Sequence, residues 1–228
     1  MFPLHSSVPI SSFPVVTWLI ILVNVLVFLG ELALGDNFLS TVFKTYGLVP
    51  AHFVQHFNYF EASTLFTSMF LHGGLAHLLG NMWFLHVFGD GVEDRMGHGR
   101  FLGFYLLAGV CAGITQTVLS PASTAPMIGA SGAISGVLGA YLIMFARYPI
   151  VTLIPFGFFA RIIDVPAPVF LGFWFILQLF TGLFALSGAA AGAGEVAFWA
   201  HVGGFLAGMC AAGVFGRKTP PQLPHAHI

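Results

Sequence analysis

Met127-Ile-Gly-Ala-Ser-Gly-Ala-Ile-Ser-Gly-Val-Leu-Gly139 sets one hydroxyl, Ser131, between two glycines at the opening of an apolar helix. A serine in the first turn of a helix lies where free backbone N–H groups and the positive end of the helix dipole can stabilise an oxyanion. Ser131 is therefore a candidate nucleophile. Taken alone, the stretch fits an N-cap or a helix-packing serine at least as well, so the decision rests on the rest of the chain.

Hydrophobic residues make up 57% of the 228 and charged residues only 7%, with a mean hydropathy of +0.93. A soluble globular domain carries about 25% charged residues. The chain reads as an integral membrane protein, long enough for one polytopic domain of about six spans at ~20 residues each. A net charge of -1 leaves no basic surface for nucleic acid. Cys111 and Cys210 both fall in apolar runs, where a free thiol behaves as a small core residue, and imply neither a disulfide nor a metal site. The apolar run that begins near Val15 follows no Lys or Arg and precedes no clean small-residue cleavage site, so it reads as a retained first span.

Residues 1–14, with Pro3, Pro9 and Pro14 among serines, read as a short irregular tail on the cytoplasmic side. Residues 15–216 form the membrane domain, and 217–228 a second cytoplasmic tail. Spans are expected at about 15–34, 67–89, 101–120, 129–146, 166–186 and 196–215. The connection at 35–66 is rich in aromatic residues and histidines and suits the membrane interface. A charged turn at 90–100, a Pro/Ser/Thr turn at 120–126, a longer connection at 147–166 and a Gly/Ala-rich loop at 187–195 separate the later spans. The fold class is all-α, a six-transmembrane-helix bundle. With six spans, Arg95, Arg100, Arg147, Arg161, Arg217 and Lys218 fall on one side and Lys44 alone on the other. The side that retains Lys and Arg is normally the cytoplasm. Both termini are thus expected there, and Ser131, His77, Asn81 and His201 share the outer leaflet.

His201 lies near the outer start of the sixth span, in Ala200-His-Val-Gly-Gly-Phe-Leu-Ala-Gly208. An ionisable side chain at that depth is costly and calls for a role. Gly204 and Gly208 follow on its helical face, while Ser135 and Gly139 follow Ser131 on the fourth span. Together with Gly132 and Gly136 they form small-residue stripes that let two transmembrane helices approach closely, as a hydroxyl and an imidazole need in order to meet. Glycine-mediated packing around a buried, satisfied histidine explains the same pattern equally well. On the second span, His77 and Asn81 share a face at i and i+4. They suit an oxyanion hole with the Ser131 backbone N–H, or else an interhelical polar contact. His72 and His77 diverge on a helix and lack a Cys or carboxylate neighbour, so no metal or other cofactor is expected.

Gly129-Ala-Ser-Gly132, Ala200-His201 with Gly204 and Gly208, and His72…His77…Asn81 in this order resemble the rhomboid intramembrane serine proteases. The resemblance extends to the Glu93-Asp-Arg95-Met-Gly97 turn and to Tyr46-Gly-Leu-Val-Pro50 in the first loop. It implies a rhomboid-like bundle in which Ser131 attacks a peptide carbonyl and His201 acts as general base and then acid. His77, Asn81 and the Ser131 amide would hold the oxyanion, with His72 a candidate helper. The implied substrates are transmembrane proteins cut in or near their membrane segment.

The residues themselves point to a dyad. All eight acidic residues fall in loops or at span ends, none placed to orient His201. The same census argues against an intramembrane aspartyl protease, and the lack of His-Glu-x-x-His against a zinc enzyme. Where many rhomboids carry an aromatic residue four positions after the serine, this chain has Ser135, which leaves the group that holds His201 unassigned. The first loop also lacks the Trp-Arg pair of some bacterial members. Hydrolysis requires a water-accessible cavity on the outer face, and the fifth span with the 187–195 loop is the expected gate for a substrate helix. The alternatives are a rhomboid-like protein that binds membrane clients without cutting them, and a transporter with intramembrane histidines, which the lack of internal symmetry disfavours. A bacterial inner membrane is the expected location.

Overall fold

The computed structural model describes residues 1–156, 159–186 and 197–216, with the backbone alone at 36–37 and 182–186. The 187–195 loop, expected as part of a gate, and the 217–228 tail with Arg217 and Lys218 lie outside the described residues. The chain runs through α1 (Val15–Leu34), α2 (Asp36–Tyr46), α3 (Pro50–Gln55), α4 (Tyr59–Thr67), a 3-10 turn (Ser68–Phe70), α5 (Leu75–Met96), α6 (His98–Leu119), α7 (Ser131–Phe145), α8 (Ala167–Leu186) and α9 (Phe198–Phe215). The architecture is an all-α membrane bundle of α1, α5, α6, α7, α8 and α9. The short helices α2, α3 and α4 fill the aromatic first connection.

Helices α1, α6 and α9 are long and apolar enough to cross a membrane by length and composition. Outward-facing Leu26, Leu29 and Leu32 on α1, Val118 on α6 and Val214 on α9 are exposed, as a lipid-facing surface requires. Helix α7 is only 15 residues, about 22 Å at the α-helical rise. It occupies the centre, packing against α5, α6, α8 and α9, and buries all but a few of its residues.

Glycine decides how tightly that centre closes. A β-carbon on Gly204 would run into the Gly132 carbonyl, one on Gly208 into the Gly136 carbonyl, and one on Gly139 into the Phe205 carbonyl. The stripes expected at Gly132, Gly136, Gly139, Gly204 and Gly208 are therefore the surface along which α7 and α9 touch backbone to backbone. Helix α6 adds a third small face, with Ala112 against Gly132 and Ala108 against Gly136. Lipid is as apolar as leucine, so helices in a membrane associate through this kind of close packing.

The second span differs from its expected bounds. The helix starts at Leu75, after Gly73 and Gly74, and continues through the charged stretch to Met96. Glu93 and Asp94 tolerate helical burial because each accepts hydrogen bonds from the chain at or just before the start of α1. Glu93 accepts from the backbone N–H groups of Val16 (2.8 Å) and Thr17 (2.7 Å), two groups that the start of α1 leaves without intrahelical acceptors. Asp94 accepts from Ser11 Oγ (2.8 Å) and the Ser12 amide (3.0 Å). The stretch expected as a charged turn at 90–100 thus begins as a helix end that caps another helix.

The first tail, expected to be irregular, instead pairs with the 147–166 connection in a sheet. Strands β1 (Phe2–Ser6), β2 (Pro149–Phe156) and β3 (Phe159–Pro166) pair antiparallel in that order. Ile150, Val151 and Thr152 supply β-branched residues that pair with Val165, Asp164 and Ile163. Proline obscures the pattern in sequence, yet Pro149 and Pro166 stand at strand ends and Pro3 on an outer strand, where a missing N–H is tolerated. The sheet leans on the bundle through Trp83 Nε1 donating to the Pro3 carbonyl (2.6 Å) and through Ser6 Oγ with the Tyr141 hydroxyl (2.7 Å).

Two substitutions test this account by thermal unfolding in detergent. Gly208→Val should prevent α7 from meeting α9 and leave little folded protein, and Glu93→Ala should cost about 2 kcal/mol or more by orphaning two buried N–H groups. An unchanged melting temperature in either variant would contradict the corresponding contact.

Candidate active site

The path to Ser131 begins in the first connection. Leu48 and Met127 exchange backbone hydrogen bonds at 3.0 and 2.8 Å, which pins the segment before the serine to the Tyr46-to-Pro50 motif. A β-carbon on Gly47 would lie 2.9 Å from Ile128 Cγ2, so that motif can lie so close only with glycine there. The Gly129 N–H then donates to the Ser68 carbonyl (2.8 Å), and Gly129 takes a φ of +116°. No L side chain adopts that conformation readily. Space forbids one as well, because a β-carbon there would lie 2.7 Å from the His77 ring.

This turn delivers Ser131 as the first residue of α7. Its N–H belongs to the four that a helix leaves without intrahelical acceptors, at the positive end of the dipole. His201, 9% exposed, sits in the first turn of α9, and its Nε2 lies 2.8 Å from Ser131 Oγ. The two residues belong to different helices and are brought together by the glycine seam beneath them.

His77 and Asn81 face the same cavity, which His77, Asn81, Ser131, Trp174, Gln178 and His201 line together. Asn81 Nδ2 lies 3.0 Å from His72 Nε2, and His72 Nδ1 lies 3.3 Å from the Phe70 carbonyl. The carbonyl can only accept, so His72 carries its proton on Nδ1, and Asn81 donates one N–H to Nε2. The second amide proton of Asn81 stays available to the cavity. His72 is fully buried and has both ring nitrogens engaged, so it stands behind Asn81 and does not line the cavity. Its backbone N–H donates to Glu31 Oε1 (3.1 Å), which ties this corner to α1.

Two residues absent from the sequence reading complete the surroundings of His201. Gln178 Oε1 lies 2.8 Å from His201 Nδ1. The Trp174 ring lies 6.1 Å from the imidazole, centroid to centroid, at 42°. Both belong to α8, one turn apart. Ser135, which replaces the aromatic residue expected by resemblance, turns its hydroxyl back onto the Ser131 carbonyl (2.6 Å). In sequence Gln178 stands out only as an uncharged polar residue in an otherwise apolar span, a signal without a stated partner.

Chemically, the arrangement offers a hydroxyl beside an imidazole nitrogen, with donors from Asn81, His77 and the Ser131 amide around one cavity. Among the described residues no cluster of His, Cys, Asp and Glu could hold a metal ion.

Residues 59–218 match the rhomboid domain. The chain is 49% identical over 78 residues to the rhomboid protease GluP of Bacillus subtilis (strain 168), covering 34% of this chain and 15% of that protein. It is 39% identical over 80 residues to the putative rhomboid protease YdcA of the same organism, covering 35% and 40%. It is 29% identical over 105 residues to the rhomboid protease GlpG of Salmonella newport (strain SL254), covering 46% and 36%. The matched stretches thus span less than half of each relative's own length.

Gly129→Ala would force both a strained φ and a collision with His77. It should cost about 1–3 kcal/mol in thermal unfolding and sharply slow labelling of Ser131 by a fluorophosphonate. Wild-type labelling in a stable Ala variant would show that neither constraint operates.

Proposed function

The chain belongs to the rhomboid family, and from that premise we propose that it is an intramembrane serine endopeptidase working through a Ser131–His201 dyad on transmembrane protein substrates. The observation that carries the reading is the 2.8 Å contact between Ser131 Oγ and His201 Nε2, inside a membrane bundle and beside three convergent donors.

In the proposed reaction, His201 Nε2 takes the hydroxyl proton as Ser131 Oγ attacks the scissile carbonyl. The Ser131 N–H, the free Asn81 amide proton and the His77 ring N–H receive the negative charge on the carbonyl oxygen. As the intermediate collapses, the imidazolium gives its proton to the leaving amine and an ester remains on Ser131. A water then repeats the sequence, losing a proton to His201 and releasing the acid, with the Oγ proton restored. His72 contributes by holding the Asn81 amide, and Glu31 by holding the His72 backbone. These contacts set the donors before the substrate arrives, so no reorganisation is needed in the transition state.

The cavity has α5 residues on one side and Trp174 and Gln178 of α8 on another. A substrate segment would reach Ser131 between those helices, with α8 as the element that yields. The bias of basic residues places both termini in the cytoplasm and the dyad towards the outer side. In a bacterial inner membrane that side is the periplasm.

Cleavage of a model transmembrane substrate by purified protein in liposomes tests the reading. Ser131→Ala and His201→Ala should each lower the rate by about 10³-fold or more, and Asn81→Ala by about 10²-fold. A folded wild type that cut nothing in a broad substrate panel and took no fluorophosphonate label would refute the protease in favour of client binding.

A further inference from the structure

We infer that Gln178 is the positioning residue of the dyad, holding His201 in the tautomer whose Nε2 can accept the Ser131 proton; this rests on the protease reading above. A neutral imidazole carries one N–H. If Nε2 is to receive a proton from Ser131 Oγ, that N–H must be on Nδ1. In a site where His201 is 9% exposed, a buried N–H without an acceptor is unfavourable. The Gln178 Oε1 atom, 2.8 Å from Nδ1, supplies the acceptor. With the amide turned as it is here, Oε1 towards Nδ1, the other tautomer would set two lone pairs facing each other.

The surroundings explain why an amide takes this place. A carboxylate in a transmembrane helix carries a large desolvation cost, whereas a glutamine offers the same carbonyl geometry uncharged. The ring also needs a wall, and position 135 does not provide one, since the Ser135 hydroxyl is committed to the Ser131 carbonyl at 2.6 Å. Trp174 stands one helical turn before Gln178 and meets the imidazole 6.1 Å away at 42°. It also contacts Phe205, one turn beyond His201 on α9, at 5.9 Å. The amide sets the proton and the indole limits ring rotation. Both groups ride on α8, so His201 is held only while α8 packs against α9.

The test compares wild type with Gln178→Leu, Gln178→Ala and Gln178→Glu by two readouts. The first is kcat, KM and the pH profile of cleavage. The second, independent of turnover, is the 15N spectrum of the His201 ring in detergent, which reports which nitrogen carries the proton. The Leu and Ala variants should lose kcat by about 10- to 100-fold with KM within about twofold, and their spectra should show loss of the predominant Nδ1–H form. The Glu variant keeps an acceptor, so it should retain most activity. Its carboxylate stabilises the imidazolium, so the free base appears only at higher pH, and the acidic limb should move up by about one unit.

A Leu variant with wild-type kcat and tautomer would overturn the inference. So would an equal loss in Glu and Leu variants, which would mark position 178 as packing alone. A tautomer that responds as stated in a protein that cleaves nothing would sink the protease reading and leave the positioning role standing. Ser131-dependent cleavage with tautomer and pH profile indifferent to position 178 would sink the positioning role alone.

Discussion

Contact between glycine backbone and carbonyl oxygen along α7 and α9 is the constraint from which the rest of the molecule follows. Gly204 meets the Gly132 carbonyl and Gly208 the Gly136 carbonyl, with Ala108 and Ala112 of α6 closing the third side. No side chain intervenes, so the first turns of α7 and α9 come close enough for Ser131 Oγ and His201 Nε2 to reach 2.8 Å. Longer side chains on either stripe would separate the helix axes by ångströms, and a hydrogen bond does not survive that separation. Close packing is also the main attraction available between helices in lipid. The feature that holds the centre together is therefore the one that brings the two reactive groups into contact.

Around that centre, polar groups are spent on holding loops and helix ends still. The turn before Ser131 is tied to Leu48 and Ser68, and a chain of hydrogen bonds leads from Glu31 through His72 to Asn81. At the opposite end of the bundle, Glu93 and Asp94 of α5 receive N–H and O–H groups from the start of α1 and the residues before it. Glu31, Glu93 and Asp94, which would be costly in lipid alone, are each matched to backbone or to another polar group. Preorganised donors of this kind are what an oxyanion site requires.

Much of this was legible in the sequence, and the reason lies in local chemistry. The first span was expected at 15–34 and is α1 over Val15–Leu34, because a long apolar run bounded by proline and glycine leaves little choice. The stripes at Gly132, Gly136, Gly204 and Gly208 were readable because helical periodicity fixes which residues share a face. The α5 boundaries were misjudged because a charged stretch reads as a turn until its partners are known. Glu93 has its partners 76 and 77 residues away in sequence. The sheet was missed for a related reason. Strand β1 finds β2 across more than 140 residues, and proline at strand ends and on an outer strand masks the β-branched pattern.

By itself the sequence determined the membrane class, the helical spans, the small-residue stripes and the residue types available for serine chemistry, since each depends on composition or on spacing within one helix. Only the tertiary structure decided what surrounds His201. Gln178 lies 23 residues away on another helix, and nothing in local periodicity relates the rotation of α8 to that of α9. Which nitrogen of the imidazole faces the serine, and what holds it there, depends on the relative placement of three helices. That placement is set by packing between them, a non-local quantity that a one-dimensional pattern does not encode.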